Sequence, residues 1–302
     1  MADLHRIEHA ILGVEDLDRA VEFYTGPMGL VEQTREDGVV YLGCGRDDNY
    51  DMGVVEAGTG VEHFAVRAID AEVVDDYENR LQSLDVDAER TDGDEPGQEA
   101  GVRFDLPSGA SMEIVAVADD RYQHYEEVAP GRGGQAPWDV DHIQLLTPDI
   151  VADVEFLRDV VDMHVSEIAG PREDPEIAFV RCNVFHHDVA LKSASALGER
   201  EAAGLHHLAW GFDDVGHLTR FVDRIAGAGC DLERGIGRHH GGNNIFAYFW
   251  EPGGNRFELC TQMATLSRTE PEHAEDYEST TTAWGPEAPP SFGEGSGLVD
   301  LE

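Results

Sequence analysis

The chain has 302 residues, of which 41% are hydrophobic, a proportion typical of globular proteins rather than disordered ones. It contains 62 acidic and 21 basic residues, so its formal net charge is −41. Because such a surface repels phosphate groups, nucleic acid and anionic membranes are excluded as expected partners. The acidic residues are spread along the whole chain, which indicates a cytoplasmic protein from a halophilic cell, where salt screens the self-repulsion.

The four cysteines and the apolar segments agree with this interpretation. Cys44, Cys182, Cys230 and Cys260 lie far apart and form no CxxC motif, a pattern typical of reduced cysteines in the cytosol. The start, MADLHRIEHAILG, has no charged segment followed by an apolar core, so we expect no signal peptide. No apolar run approaches the roughly 20 residues that a membrane-spanning helix needs. We therefore expect a soluble, intracellular protein.

The first predicted elements alternate between strands and helices. HAILGV (9–14) predicts a short strand, and Asp16 occupies the N-cap position of a helix, LDRAVEFY (17–24). HFAVRA (63–68) predicts a second strand, followed by the amphipathic helix AEVVDDYENRLQSL (71–84). Further along, GVRFDL and SMEIVAV flank a Pro-Ser-Gly turn and predict a hairpin.

The second half of the chain repeats this pattern. Three pairs of landmarks have matched separations in the two halves: His9–Phe23 and His142–Phe156, Gly60–His63 and Gly204–His207, Pro107–Glu113 and Pro252–Glu258. Three landmarks in the same order indicate two homologous domains. We predict an α+β fold in which each domain contains two βαβββ modules that form a curved sheet or open barrel around a metal pocket.

The repeat also sets the expected domain boundaries. The two domains are expected at 1–122 and 135–264, with a linker at 123–134 between them. The segment 265–302 is acidic and rich in proline and glycine, so we expect a partly ordered tail.

The repeated landmarks of the second domain supply a candidate metal site. His142, His207 and Glu258 each lie on a predicted strand. Two imidazoles and one carboxylate form a facial triad, which leaves coordination positions open. Iron(II) suits this ligand set best and manganese(II) nearly as well, whereas zinc more often takes a tetrahedral site. Because a single strand histidine or glutamate is usually an ordinary core or edge residue, the prediction depends on all three occurring together.

The first domain has the same three residue types at the matching positions, His9, His63 and Glu113. However, Arg103 stands ten residues before Glu113, where the second domain has Tyr248. An arginine beside a divalent cation weakens metal binding electrostatically. The residues alone therefore leave the number of metal sites open.

One segment of the second domain carries a resemblance to a known family. GRHHGGNNIFAYFWEPGGNRFELC (237–260) resembles the signature of the type I extradiol ring-cleaving dioxygenases of the vicinal oxygen chelate, or glyoxalase/bleomycin resistance, superfamily. That signature has a histidine, a tyrosine nine residues later, a Pro-x-Gly turn, and a ligand glutamate ten residues after the tyrosine. Here these residues are His239, Tyr248, Pro252 with Gly254, and Glu258.

Two further segments resemble other parts of the same family. NVFHHDVAL (183–191) resembles the segment with the acid–base histidine and selects His187 over His186. LHHLAW (205–210) resembles the segment with the second metal histidine, and the repeat selects His207 over His206. Each of these choices depends on a register of one residue.

The resemblance implies Fe(II)-dependent cleavage of a catechol-type aromatic diol by O₂, which gives a ring-opened hydroxymuconic semialdehyde. It implies that His187 moves a proton to and from the substrate, and that His239 and Tyr248 hydrogen-bond the bound oxygens. Strand alternation places Phe246 and Trp250 on the face of Tyr248, where they are predicted to wall the substrate, although core packing explains each equally well. The family also implies a metal-free first domain and a homo-oligomer, either a dimer or a tetramer.

Three other functions are compatible with parts of the pattern. Metal-dependent isomerases and lyases of the glyoxalase-like superfamily share the paired modules but commonly lack the set formed by His187, His239 and Tyr248. A non-catalytic module that binds an aromatic ligand would not need a metal. Hydroxyphenylpyruvate-type dioxygenases share the triad, but their chains are longer and end in a functional helix. The sequence favours extradiol cleavage and leaves the identity of the catechol open.

Overall fold

Each quarter of the chain up to residue 261 folds as a strand, a helix and three further strands. The computed structural model describes residues 3–119, 128–195 and 202–301. The first domain contains β1 (Leu4–Val14), α1 (Leu17–Phe23), β2 (Val31–Glu36), β3 (Val39–Gly43), β4 (Met52–Glu56), β5 (Gly60–Ala68), α2 (Ala71–Ser83), β6 (Ala88–Arg90), β7 (Gln98–Asp105) and β8 (Ser111–Val117). The second contains β9 (Asp139–Thr147), α3 (Ile150–Asp159), β10 (His164–Ala169), β11 (Ile177–Arg181), β12 (Val189–Ser193), β13 (Gly204–Gly211), α4 (Val215–Gly227), β14 (Leu232–Arg238), β15 (Ile245–Trp250) and β16 (Arg256–Thr261). The predicted α+β fold of four βαβββ modules is confirmed.

The helix of every module begins at an aspartate N-cap. The carboxylates of Asp16, Asp70, Asp149 and Asp214 each accept the backbone N–H three residues further on. Such a cap satisfies one of the free donors of the first turn and typically contributes about 1 kcal/mol. The cap predicted at Asp16 is therefore present, and the other three modules use the same device.

The two modules of a domain join through their first strands. In the first sheet the strand order is β2-β3-β4-β1-β5-β8-β7-β6, and in the second it begins β14-β15-β16-β13-β9-β12-β11-β10. β1 and β5 pair antiparallel, as do β9 and β13, whereas the first and last strands of each module are parallel. The centre of each sheet therefore has the same arrangement in both domains.

The domains share one continuous hydrophobic core. Phe23 of α1 packs against Phe249 of β15 with ring centroids 6.2 Å apart. The hydroxyl of Tyr24 donates to a carboxylate oxygen of Glu251 at 2.7 Å. The side-chain amide of Asn255 donates to the carbonyl of Gly13 at 2.9 Å. These contacts fix the position of one sheet relative to the other.

The segment after residue 264 packs against both sheets, which corrects the expectation of a partly ordered tail. Its β17 (Glu272–Ala274) extends the second sheet beside β10, and β18 (Gly297–Leu298) pairs with β5 of the first. Between them lie α5 (Glu278–Thr281) and a 3₁₀ turn (Pro290–Gly293). The buried guanidinium of Arg256 donates to the carbonyls of Ser291 and Glu294 at 2.9 and 2.7 Å. The tail therefore provides hydrogen-bond acceptors for a buried positive charge.

Only part of the predicted linker belongs to the described residues, because 123–127 lie outside them. In the remainder, backbone hydrogen bonds join Ala129 to Gly45 and Gly133 to Gly29. Among the helices that the structure describes, none is both long and apolar enough to span a membrane.

Candidate metal centre and active site

Three neighbouring strands carry the predicted metal ligands. His142 lies on β9, His207 on β13 and Glu258 on β16. Ala209 of β13 is in register with both His142 and Glu258, and His207, two residues earlier, shares its face of the sheet. Because Ala209 carries only a methyl group, it leaves space between the three ligands.

The three side chains converge on one point. The Nε2 atoms of His142 and His207 are 3.3 Å apart, and they lie 3.2 and 3.0 Å from Oε2 of Glu258. Ligands about 2.1–2.2 Å from an octahedral ion are about 3.0–3.1 Å apart at adjacent corners. The residues therefore fit three corners of one face around a divalent metal, with the opposite face open to the cavity.

Without a metal, a proton on His142 stabilises the ionised carboxylate of Glu258. Burial acts to raise the pKa of Glu258, but the charge on His142 and the hydrogen bond from its ring outweigh burial and hold that pKa well below its usual value. Burial acts to lower the pKa of His142, yet Glu258 and Asp141 raise it to about 10. Burial lowers the pKa of His207 to about 4. A metal entering the site would displace the His142 proton, so metal affinity should rise with pH.

His206, the neighbour of the second ligand, sets the tautomer of His207. The Nε2–H of His206 donates to the carbonyl of Phe292 at 3.0 Å. Burial lowers the pKa of His206 well below its usual value, so its other nitrogen is an acceptor. That nitrogen lies 2.7 Å from Nδ1 of His207, which must therefore donate. The Nε2 lone pair of His207 is left free for a metal, which supports the choice of His207 over His206.

A second histidine pair repeats this arrangement at the predicted acid–base residue. Nε2 of His186 lies 3.1 Å from a carboxylate oxygen of Glu167, to which it donates. Nδ1 of His186 then accepts from Nδ1–H of His187 at 3.0 Å. Burial and the charge of His142 hold the pKa of His187 well below its usual value. His187 therefore presents an unprotonated Nε2, with its ring centroid 4.3 Å from that of His142.

His239 and Tyr248 form the other predicted pair. Nδ1–H of His239 donates to the carbonyl of Thr281, and burial lowers the pKa of the ring to about 4. Its Nε2 is therefore an acceptor for the Tyr248 hydroxyl, 3.0 Å away. Burial also raises the pKa of Tyr248 well above its usual value, so the phenol keeps its proton. The pair is neutral and lies beside Glu258.

Five of the eight predicted site residues line one cavity, a sixth lies directly behind its wall, and the other two lie elsewhere. The cavity is lined by His142, Gln144, Ile177, Phe179, His187, Arg234, His239, Gly241, Asn244, Tyr248, Glu258, Tyr277, Thr280, Thr281 and Phe292, and His207 lies behind Tyr248 as the third metal ligand. Phe246 is stacked behind His239, with ring centroids 4.0 Å apart. Trp250 covers the guanidinium of Arg256 at 4.4 Å. The aromatic wall predicted from alternation is therefore corrected: Phe179, Tyr277 and Phe292 form it.

Several of these residues were missed at the level of sequence. Asn244 donates to Oε1 of Glu258 at 3.1 Å, which leaves Oε2 for the metal. Tyr277 and Phe292 belong to the tail, whose composition gave no signal of a binding wall. By contrast, the doubled histidines at 186–187 and 206–207 can be seen in the sequence itself. The structure gives each extra imidazole a buried hydrogen-bond partner.

His187 also borders a second and larger cavity of about 970 Å³. Its apolar lining comes from both domains and includes Trp138, Phe185, Phe212 and Met263. His187 thus stands between the metal ligands and an apolar space at the domain junction.

Comparison with known proteins places this geometry in a family. The model of the Glyoxalase/Bleomycin resistance protein/Dioxygenase superfamily matches residues 6–114 and 139–259, which lie in the two domains. Metapyrocatechase 2 from Cupriavidus necator is 29% identical over 214 residues, which cover 65% of this chain and 64% of that protein. The manganese-dependent 2,3-dihydroxybiphenyl 1,2-dioxygenase from Geobacillus genomosp. 3 is 24% identical over 278 residues, 85% of each chain.

A solved structure gives the same result for the fold. Homoprotocatechuate 2,3-dioxygenase from Brevibacterium fuscum, in an anaerobic complex with 3,4-dihydroxyphenylacetate, superposes with a TM-score of 0.82 at 24% identity. The superposition covers 99% of this chain and 97% of that one. The family match in both domains, the named relatives and the triad agree, and the resemblance seen in the sequence is confirmed. The chain belongs to the Glyoxalase/Bleomycin resistance protein/Dioxygenase superfamily.

Proposed function

We propose that the protein uses O₂ to cleave the ring of a catechol-type diol next to its hydroxyl groups, with iron(II) or manganese(II) held by His142, His207 and Glu258. The observation that carries this proposal is the position of His187, whose ring centroid lies 4.3 Å from that of His142, beside the face formed by the three ligands. Non-oxidative isomerases of the superfamily commonly lack the set formed by His187, His239 and Tyr248. The names of the relatives, which include two ring-cleaving dioxygenases, support the same reaction.

The ligand set suits a substrate with two adjacent oxygens. Three ligands on one face leave room for both hydroxyls of a vicinal diol and one further small ligand. When bound, the metal supplies the one-electron chemistry that allows O₂ to react with the diol. Asn244 donates to Oε1 of Glu258, so this carboxylate would offer a bound metal its other oxygen, Oε2.

The residues around the triad handle protons and exclude water. His187 takes a proton from a diol hydroxyl at Nε2 and returns it later in the reaction, while Glu167 at the far end of the histidine pair stabilises the resulting imidazolium. When substrate binds, the neutral Tyr248 turns its O–H from Nε2 of His239 towards charge that develops on the substrate oxygens. Phe179 and Phe292 shield this site from solvent, which strengthens both interactions.

We propose a catechol as the substrate, and the residues that line the cavity indicate which substituted catechols should be compared as substrates. Arg234 lines the cavity and lies over the ring of Phe292, 4.8 Å from its centroid. A buried cation favours an anionic substituent, so a carboxylated catechol should be compared with catechol and an alkylcatechol. We also propose that the protein works in a salt-rich cytoplasm, which would screen its net charge of −41, and as a homo-oligomer, which the resemblance to the family implies.

The test is O₂ uptake after anaerobic reconstitution with Fe(II) or Mn(II), measured in low salt and in molar KCl. We expect one O₂ consumed per catechol and a yellow ring-opened semialdehyde in the visible spectrum. Glu258→Gln should abolish both signals. Metal-loaded, folded protein that consumes no O₂ with any catechol would refute the proposal and favour a non-oxidative reaction.

A further inference from the structure

We propose that the first domain binds a divalent cation of its own, best matched by Zn²⁺, through His9, His63, Glu113 and Glu95. The site lies outside the proposed reaction centre and has a different ligand set. Its function would be structural, because four protein ligands close the coordination of zinc.

Three of the ligands occupy the same register as the triad of the second domain. Ala65 of β5 is in register with His9 on β1 and Glu113 on β8, and His63 lies two residues before it. The Nε2 atoms of His9 and His63 are 3.2 Å apart. They lie 3.6 and 3.4 Å from Oε2 of Glu113, and all three side chains are buried.

The fourth ligand has no counterpart among the metal ligands of the second domain. Glu95, in the loop between β6 and β7, places Oε2 3.1 Å from Nε2 of His9 and Oε1 3.5 Å from Nε2 of His63. Ligands 2.0–2.1 Å from a tetrahedral ion are about 3.3–3.4 Å apart. The separations among the ligand atoms of His9, His63 and Glu113 are 3.2–3.6 Å, close to that value, and Oε2 of Glu95 lies 3.1 Å from Nε2 of His9.

The outer contacts hold the ligands in the orientation that a metal needs. Nδ1 of His63 is hydrogen-bonded to Glu62, so its Nε2 points into the cluster. Oε1 of Glu113 accepts from Gln98 at 2.7 Å and from Thr91, which leaves Oε2 facing the two imidazoles. Carboxylates and amides in these positions are typical outer partners of metal ligands.

Arg103 is the strongest argument against a metal here, and the charges around it answer that argument. Its guanidinium lies 3.2 Å from Oε1 of Glu95 and 3.5 Å from Oε2 of Glu113. With neutral imidazoles, the carboxylates of Glu62, Glu95 and Glu113 and the one guanidinium give a net charge of −2. A divalent cation neutralises this charge. Glu95 therefore offsets the charge that Arg103 brings to the site.

The second domain has the same net charge around its ligand histidines. There, the carboxylates touching the ligand histidines are Asp141 and Glu258, which also give −2. Arg103 is 24% exposed and can withdraw towards solvent when a cation enters.

The experiment counts metal ions in a protein whose catalytic site has been removed. The variant His142→Ala/His207→Ala is stripped with chelator, incubated with Zn²⁺, desalted and analysed for zinc per chain. We expect one zinc in this variant and, after loading with excess Zn²⁺, two in the wild type. Adding His9→Ala and Glu95→Gln should reduce the count to zero, whereas adding Glu72→Gln, an exposed change on α2 of the same domain, should leave it at one.

A second variant, expected to bind zinc more tightly, distinguishes loss of the site from a failure to fold. In the same background, Arg103→Met removes the competing cation and should lower the Kd for Zn²⁺ at least tenfold, with a larger zinc-induced rise in Tm. A folded His142→Ala/His207→Ala protein that retains no zinc, with or without Arg103→Met, would overturn the proposal in favour of a metal-free ion network. Because zinc is counted and turnover is not measured, this result is independent of the proposed ring cleavage.

Discussion

The two domains use one scaffold for two different clusters. In each, an alanine of the central strand lies between a histidine and a glutamate, so the backbone register alone brings the three ligands together. The ring beside the first histidine differs: Tyr50 lies 4.5 Å from His9, whereas His187 lies 4.3 Å from His142. The position is the same, but only an imidazole can take up a proton near neutral pH.

A second difference concerns the pair that faces the glutamate. In the first domain Arg103 and Glu95 form an ion pair at 3.2 Å. In the second, Tyr248 and His239 form a neutral hydrogen bond at 3.0 Å. The charged pair fills the space beside the ligands, whereas the neutral pair borders an open cavity. The strand register places the ligands in both domains, and the neighbouring side chains determine whether the cluster is enclosed or borders a cavity.

Removing a ligand should separate the two sites most clearly. His142→Ala should reduce ring cleavage to background, because two remaining ligands cannot hold the reactive metal. His9→Ala should leave kcat unchanged, since its cluster lies in the other domain. Steady-state O₂ uptake and metal content check both variants. A loss of turnover in His9→Ala with full occupancy of the second site would show that the domains are catalytically coupled.

Exchange of the acid–base residue should have the next largest effect. His187→Phe should lower kcat by about 10²–10⁴-fold, the usual contribution of a positioned proton carrier, while the metal content stays at wild-type level. Tyr50→Phe is the matched change in the first domain and should leave kcat unchanged. Rapid-quench measurement of the single-turnover rate separates this effect from product release. Full activity of His187→Phe would mean that another residue moves the proton.

The histidine pair predicts a smaller but specific effect for His186. His186→Asn removes the donor to Glu167 and releases the tautomer of His187, so kcat should fall about 10–100-fold with unchanged metal content. His240→Asn changes an exposed histidine and serves as control. ¹⁵N NMR of labelled histidine should show His187 protonated at Nδ1 in the wild type. Equal activity of the two variants would contradict the role of His186 in fixing the tautomer of His187.

The tail should affect substrate binding more than chemistry. Phe292→Ala removes one wall of the cavity and should raise KM about tenfold, the value of a lost apolar contact of 1–2 kcal/mol. Trp284→Ala, an exposed change in the same segment, should leave KM close to the wild-type value. Initial rates over a range of catechol concentrations distinguish KM from kcat. A pure kcat effect would place Phe292 outside the binding wall.

The smallest expected effect concerns the contact between domains. Tyr24→Phe removes one hydrogen bond to the buried Glu251, which still accepts the backbone N–H groups of Gly253 and Asn255. The free energy of unfolding should fall by about 1–2 kcal/mol, with kcat unchanged. Urea unfolding in molar KCl measures this, with Tyr41→Phe as a control in the first domain. A second unfolding transition would show that the domains no longer unfold together.

The sequence predicted those features that repeat, and missed those that depend on what covers a surface. The triad could be predicted because equal spacing in two halves implies equal register on two sheets. Phe246 was placed on the correct strand, but alternation does not reveal that His239 stacks over it. Glu95 and Asn244 come from loops, where no periodicity relates a residue to the site. The tail was missed because its partner, buried Arg256, lies on a distant strand.

The path of the tail connects access to the cavity with the joining of the two domains. β17 pairs with β10 of the second sheet and β18 pairs with β5 of the first, so one segment is hydrogen-bonded to both domains. Between these strands the same segment supplies Phe292 to the wall of the cavity. Release of the segment from either sheet should therefore uncover the cavity and weaken the contact between the domains at the same time.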